Sequence, residues 1–405
     1  KDNSLRILHI HPFYPSSAYK VKRGIMRYEQ DKLLLERGHK VFVVSCKTFG
    51  APSFENLGGI EIYRIPAVAL PIVEYPLPNL LMLYSWVVQI AQREKIDIIL
   101  ATSAAYLTSL PILFLKRVLK KPIILIVQGF PGLSWFYDKL LVDVFARMYM
   151  LTFGKKILKV SDKVVLAATN QRKDALRLGV SAAKMEVIPR GVDTGVFHPS
   201  PERRKLVRKK LGIDDDDIMV LFAGRLVPVK GITYFLKAAE NLAEMSGKWK
   251  FLVAGDGVLR GRCETETRLY RSNIRFIGWR RDMPDILNAA DVFVLSSISE
   301  GFPNTVLEAC ACGKAVISTR VGAASDIILD GETGLLVEPG DVDGLRDALM
   351  RVLTNLHQTS IGEKALQRVT KYFTWDSVIS KCENTYSEVL NLYISRRNGG
   401  PKRKE

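Results

Sequence analysis

The feature that most constrains this chain is a set of short runs that are apolar throughout rather than alternating. In the first half they fall at 5–10, 40–45, 97–101, 122–127, 163–167 and 185–188. In the second half they fall at 218–223, 250–254, 274–277, 291–295 and 315–318. A strand with no polar side is covered on both faces, as in a parallel sheet between layers of helices. Segments with helical spacing lie between the runs, at 24–37, 232–245 and 305–312, and the first stops at Gly38, a helix-ending residue. Strand–helix alternation repeated over 405 residues predicts an α/β protein with two doubly wound domains.

The seam is expected near 191–201, which holds Gly191, Gly195, Pro199 and Pro201. This gives a first domain at 1–195, a second at 196–373 and a final helix at 374–395. The charged, glycine-containing tail at 396–405 is expected to be disordered. A basic helix at 202–211 and an acidic turn at 214–217 follow the seam. Four adjacent aspartates read as a solvated turn rather than a metal site.

The net charge of +17 is uneven. Residues 1–200 carry 28 Lys and Arg against 15 Asp and Glu, and the remainder 31 against 27. A basic first half suits an acidic partner: nucleic acid, anionic lipid or a phosphorylated substrate. No nucleic-acid-binding motif accompanies it, so nucleic acid is not expected as a partner. No G-x-G-x-x-G follows the first strand, which argues against a dinucleotide dehydrogenase. Cys46, Cys263, Cys310, Cys312 and Cys382 form no C-x-x-C pair and read as small core residues in a reducing compartment. The longest apolar stretch, 67–91, is interrupted by Pro71, Glu74, Pro76 and Pro78, so no spanning helix is expected. Segments 80–91, 114–121 and 148–159 mix aliphatic, aromatic and basic residues and suit an anionic membrane surface. The expected location is cytoplasmic, peripheral on the inner face of the membrane.

Two segments carry chemistry. The first is Gly224-Arg225-Leu226-Val227-Pro228-Val229-Lys230-Gly231, between a buried strand and a helix. Doubly wound sheets bind ligands at the carboxyl ends of their strands, and helix N-termini favour phosphate. Arg225 adds a planar fork and Lys230 a point charge, a plausible diphosphate clamp. The second runs from Glu300 through Gly301, Phe302, Pro303, Asn304 and Thr305 to Glu308. Two carboxylates, one on a loop and one a turn inside a helix, can address two parts of one ligand. A carboxylate accepts paired hydrogen bonds from vicinal hydroxyls such as those of a ribose. Free N–H groups at Asn304 and Thr305 would suit phosphate oxygens.

With these motifs the chain resembles the retaining glycosyltransferases of family 4. The matching pieces are Gly224-Arg225-Leu226, Lys230-Gly231, Gly255-Asp256-Gly257, Phe276-Ile277-Gly278, the Glu300…Glu308 pair, Gly313-Lys314-Ala315, Gly322 and Asp330-Gly331-Glu332-Thr333-Gly334. Arg37-Gly38-His39, Ile188-Pro189-Arg190-Gly191-Val192-Asp193 and Phe373-Thr374-Trp375 extend the match. The resemblance implies the GT-B fold: two facing Rossmann-like domains, with a C-terminal helix crossing back to the N-terminal one. It implies a nucleotide-sugar donor in the second domain and an acceptor on the side of the first. The acceptor would be a glycan or a lipid-linked saccharide. Arg225 and Lys230 would hold the diphosphate, Glu308 the ribose and Glu300 with 302–305 the donor sugar. Gly224 would lie beside the donor and Gly278 near the base. No cofactor or metal is implied, and no D-x-D motif is present.

The chain departs from the family pattern in three places. Where a glycine pair is usual near the donor phosphates, Lys20-Val21-Lys22-Arg23-Gly24-Ile25 supplies only Gly24. Gln128 stands where many members carry a catalytic His, so it can position the donor but not carry charge. Arg190 replaces the usual Asn at the seam. His11, closing the first strand, is a candidate acceptor contact. The competing reading is a non-catalytic, glycosyltransferase-like subunit that binds nucleotide sugars.

Overall fold

The structure is a computed structural model that describes residues 4–17, 25–47, 50–70, 75–134, 140–270, 273–356 and 360–397. The chain divides into two compact units, one formed by Lys1–Ile188 with Ile379–Glu405 and one by Pro189–Val378.

The first unit is built on β1 (Arg6–His11), β2 (Lys40–Cys46), β3 (Phe54–Leu57), β4 (Ile60–Ile65), β5 (Ala67–Leu70), β6 (Tyr75–Pro78), β7 (Ile98–Thr102), β8 (Ile123–Val127), β9 (Lys163–Leu166) and β10 (Met185–Val187). Eight strands make one sheet in the order β10-β9-β8-β7-β1-β2-β4-β3, and β5 pairs with β6 in a separate hairpin. The sheet is parallel except for β3, which runs antiparallel to β4. All six apolar runs of the first half are strands here. Strands β3 to β6 were not expected. Strand β4 alternates buried and half-buried residues along most of its length, so one face of the sheet is less covered there. Helix Leu80–Arg93 buries Leu83, Val87, Ile90 and Ala91 in the core.

The second unit has β11 (Ile218–Ala223), β12 (Trp249–Ala254), β13 (Ile274–Gly278), β14 (Val292–Leu295), β15 (Ala315–Thr319) and β16 (Leu335–Val337). These form one parallel sheet in the order β13-β12-β11-β14-β15-β16. The order reverses between β11 and β14, and the loops leaving those two strands flank that switch point. Helix Pro201–Leu211, expected to be basic, is not fully solvated. Arg208 is buried, donating to Ala289 O and paired with Asp291 at 3.1 Å.

The units begin and end a few residues away from the expected boundaries. Residues 189–195 go with the second unit because Val192 bridges Thr374 and Gly191 packs on Trp375. Helix Trp375–Arg397 starts in the second unit and continues as part of the first. There Glu383 pairs with Arg37 at 2.6 Å and His39 at 3.0 Å, and Ile379, Cys382, Tyr386 and Val389 are buried. The helix extends to Arg397, into the segment expected to be disordered; residues 398–405 lie outside the described residues. All five cysteines are buried and free.

Candidate active site

The loop after β11 carries the Arg–Lys segment and is tied to its neighbours through the backbone. Gly224 N–H donates to Ala254 O at 3.0 Å, Leu226 N–H to Asp256 O at 2.9 Å and Gly255 N–H to Gly278 O at 2.8 Å. A Cβ at Gly255 would lie 1.8 Å from Gly224 O, and its φ is +147°. Only glycine lets these two loops approach so closely. Gly224 and Gly278 therefore act through backbone placement at the strand ends.

The loop after β14 is held against the same segment. Ile298 N–H donates to Val229 O at 2.9 Å, Ser296 Oγ to Gly231 O at 2.8 Å and Thr319 Oγ1 to Ser297 O at 2.7 Å. These bonds bring Lys230 Nζ to 2.6 Å from Glu300 Oε1, and Ser297 Oγ donates to the same oxygen at 2.7 Å. The Glu300 side chain is 10% exposed and that of Lys230 22%. An ion pair this sheltered is screened less than a surface pair. Arg225 is exposed on the same loop, and its guanidinium makes no hydrogen bond or ion pair among the described residues. One cation is thus engaged by a carboxylate and one is open to an anion.

Glu308 lies one turn into helix Asn304–Ala311. It is half-buried, and its carboxylate makes no hydrogen bond or ion pair among the described residues. Burial pushes its pKa up to about 7. A ligand that donated two hydroxyls to this carboxylate would favour its charged form. Below about 7 the group is protonated and loses acceptor capacity, so the KM of a ligand held through its hydroxyls should rise up to about tenfold for each pH unit lost. Glu308→Gln should flatten that profile between pH 5.5 and 8; an unchanged profile in the variant would remove Glu308 from donor binding. The folded protein also binds this proton more tightly than the unfolded chain. The Glu308 contribution to stability is therefore present in acid and is lost as pH rises through about 7.

Phe302 is buried, with the Arg190 guanidinium 5.7 Å from its ring centroid. This gives the unusual Arg190 a role: it braces the loop that bears Glu300. Pro303 caps the helix rather than lying within its first turn. The Asn304 N–H is not free for phosphate, because it donates to Phe302 O at 3.1 Å. Thr305 lies in the helix's first turn, half-buried.

The remaining candidates belong to the first unit. Gln128 follows β8, its side chain accepting from Tyr106 OH at 3.4 Å and its carbonyl from Gln171 Nε2 at 3.4 Å. Gly24 lies outside the described residues. His11 is buried, with Nδ1 against the Phe13 backbone and Nε2 without a hydrogen-bond partner. Burial, then His9 and Arg27, holds its pKa well below the ordinary range, so the ring is neutral.

The sequence reading missed a buried polar cluster beside it. His9 Nδ1 lies 3.0 Å from both Arg27 Nε and Asp31 Oδ2, and His9 Nε2 lies 2.8 Å from Thr102 Oγ1. Burial and then Arg27 push the His9 pKa down to about 4. Its neutral ring carries one proton, so Nδ1 either donates to Asp31 or accepts from Arg27, and Nε2 takes the complementary role toward Thr102. Tyr14 OH donates to Asp31 at 2.9 Å. The only sequence hint was a His ending a strand.

The sequence profile of the Glycosyl transferases group 1 family matches residues 203–368, and that of Glycosyltransferase Family 4 matches 28–196. The chain is 29% identical to 2-deoxystreptamine N-acetyl-D-glucosaminyltransferase of Niallia circulans over 77% of its own length and 79% of that enzyme. It is 30% identical to UDP-Gal:alpha-D-GlcNAc-diphosphoundecaprenol alpha-1,3-galactosyltransferase of Escherichia coli, over 53% of this chain and 56% of that enzyme's length. In fold it is similar to HepE of Anabaena in complex with UDP, with a TM-score of 0.76 and 20% identity over 95% of this chain and 100% of that one. Its two parallel-sheet units and its matches along both halves agree: the chain belongs to glycosyltransferase family 4 and has the GT-B fold.

Proposed function

We propose that the chain is a retaining, hexosyltransferase-type enzyme that moves a sugar from a nucleotide-sugar donor to a glycan or lipid-linked saccharide. This places it in polysaccharide or glycolipid biosynthesis. The carrying observation is the Lys230–Glu300 pair at the switch point, with Arg225 open on the same loop and, on the following helix, a Glu308 carboxylate without a partner among the described residues. Arg225 and Lys230 would hold the diphosphate and neutralise the charge that builds as the sugar–oxygen bond breaks. Glu308 would take the ribose hydroxyls, and Glu300 would face the sugar. The leaving phosphate oxygen keeps the bonding electron pair. The acceptor hydroxyl attacks the same face of the sugar, and its proton passes to that phosphate oxygen. The two cationic side chains take the part a divalent ion plays elsewhere, so no metal or cofactor enters the scheme. A cytoplasmic site at the inner membrane face would suit a lipid-linked acceptor; no described helix is long and apolar enough to cross a membrane.

A thermal-shift screen of UDP-, GDP- and ADP-sugars tests the reading. One class should raise the melting temperature by mass action, by an amount equivalent to about 2.7 kcal/mol at one hundred times its Kd. Turnover of that donor should follow in the presence of acceptor. Binding without any transfer or donor hydrolysis would instead support a non-catalytic subunit.

A further inference from the structure

In the first unit, helix Leu140–Tyr149 has no buried residue, although it is mostly apolar. Leu140 is 80% exposed, Leu141 73% and Phe145 70%, with Val144, Met148, Leu151 and Phe153 also exposed. Soluble proteins rarely leave so continuous an apolar face in water. A helix that is apolar nearly all round is ordinarily buried in a core or in a membrane. Here the inward side overlies a cavity of about 380 Å³ lined by apolar residues that include Pro12, Leu77, Leu107, Phe145, Tyr149 and Met150.

The rod continues through a π-helical turn, Met150–Gly154, into helix Lys155–Val160. Its exposed positions at 141, 144, 148, 152, 156 and 159 recur at helical spacing, and the last two are lysines. The outward stripe therefore passes from apolar to cationic along its length. That gradient places hydrocarbon at one end and phosphate headgroups at the other. The surplus of positive charge in the first half of the chain acts in the same sense.

We infer that the outward face of 140–159 is a membrane-docking surface whose partner is an anionic lipid bilayer. Leu140, Leu141, Val144 and Met148 enter the acyl region, and Lys156 and Lys159 rest among the headgroups. Of the three segments that the sequence suggested for a membrane, the structure favours this one, displaced toward its N-terminal side. The inference rests on the peripheral, membrane-facing part of the proposed function and on none of its chemistry.

The test uses the full chain and flotation with vesicles of phosphatidylglycerol mixed with phosphatidylcholine, and of phosphatidylcholine alone. Wild-type protein should float with the anionic vesicles. The double variant Leu141→Glu/Met148→Glu changes only exposed side chains outside the cavity, so its melting temperature and its binding of the donor nucleotide should match the wild type. Its partition onto anionic vesicles should fall more than about tenfold. Lys156→Gln and Lys159→Gln should each weaken anionic binding about fivefold and leave phosphatidylcholine unaffected. Wild type that floats with neither vesicle, or a double variant that binds as wild type does, overturns the inference. So does a concentration-dependent wild-type dimer that the double variant dissolves without any vesicle binding, because a second copy would then cover the face. Each of these outcomes leaves donor binding and turnover to be judged separately.

Discussion

Lys230→Ala should lower kcat by about a thousandfold while leaving a folded protein. The ammonium is held where the two strand-end loops meet, 2.6 Å from Glu300 and well sheltered from water. Removing one preorganised charge from the centre of a developing anion costs about 10²–10³ in rate, or roughly 3–4 kcal/mol. The upper figure is expected here because Arg225, exposed on the loop, is the more solvent-screened of the two cations. Lys230→Arg should recover only part of the loss, since the guanidinium cannot occupy the place of a compact ammonium on a flexible stem. Single-turnover measurement of sugar transfer decides the matter. A Lys230→Ala enzyme within tenfold of wild type would put the diphosphate elsewhere and take the proposed mechanism with it.

The same substitution has a second consequence. Lys230 is the only cation paired with Glu300 among the described residues, so its loss leaves a largely buried carboxylate supported by Ser297. A stability cost of about 1–2 kcal/mol is expected, larger than for an exposed pair. Glu300→Gln combined with Lys230→Ala should restore most of that stability and none of the activity. That separation distinguishes a structural ion pair from a catalytic one.

The parallel strands were legible because burial on both faces leaves uninterrupted apolar runs such as those of β11 and β14. The edge of the first sheet was not. In β4 the sequence Ile60-Glu61-Ile62-Tyr63-Arg64-Ile65 mixes polar and apolar residues, because one face is less covered. The hairpin β5–β6 is short and contains Pro76 and Pro78, a composition that reads as a broken apolar segment. The motif residues around 224–231 and 300–308 were legible because their spacing puts them at the two strand ends flanking one switch point. The partners of those residues were hidden. Nothing local links Arg190 to Phe302, or His9 to Asp31 and Thr102; each contact is made by separate elements that only the folded chain brings together. The same holds for Arg208, which composition assigns to a solvated basic helix and tertiary packing buries on Asp291.

Gly231→Ala should be strongly destabilising, and a second glycine supplies its control. Gly231 has φ +65°, a conformation that costs an L residue about 1–2 kcal/mol. Its added Cβ would also lie 1.8 Å from Ser296 O, a backbone atom that cannot rotate away. The two loops would have to part, breaking the Ser296 Oγ to Gly231 O bond of 2.8 Å and straining the Ile298 N–H to Val229 O bond of 2.9 Å. The summed cost is about 3 kcal/mol or more, a drop in melting temperature of roughly 6–12 °C for a unit of this size. Gly261→Ala places its Cβ in open space within helix Arg260–Glu266 and should stabilise by about 0.5–1 kcal/mol. Opposite signs for the two variants in one thermal melt would establish the close approach of the loops that present Lys230 and Glu300. A neutral Gly231→Ala would mean that these loops are not held together, and the ion pair between them would lose its structural basis.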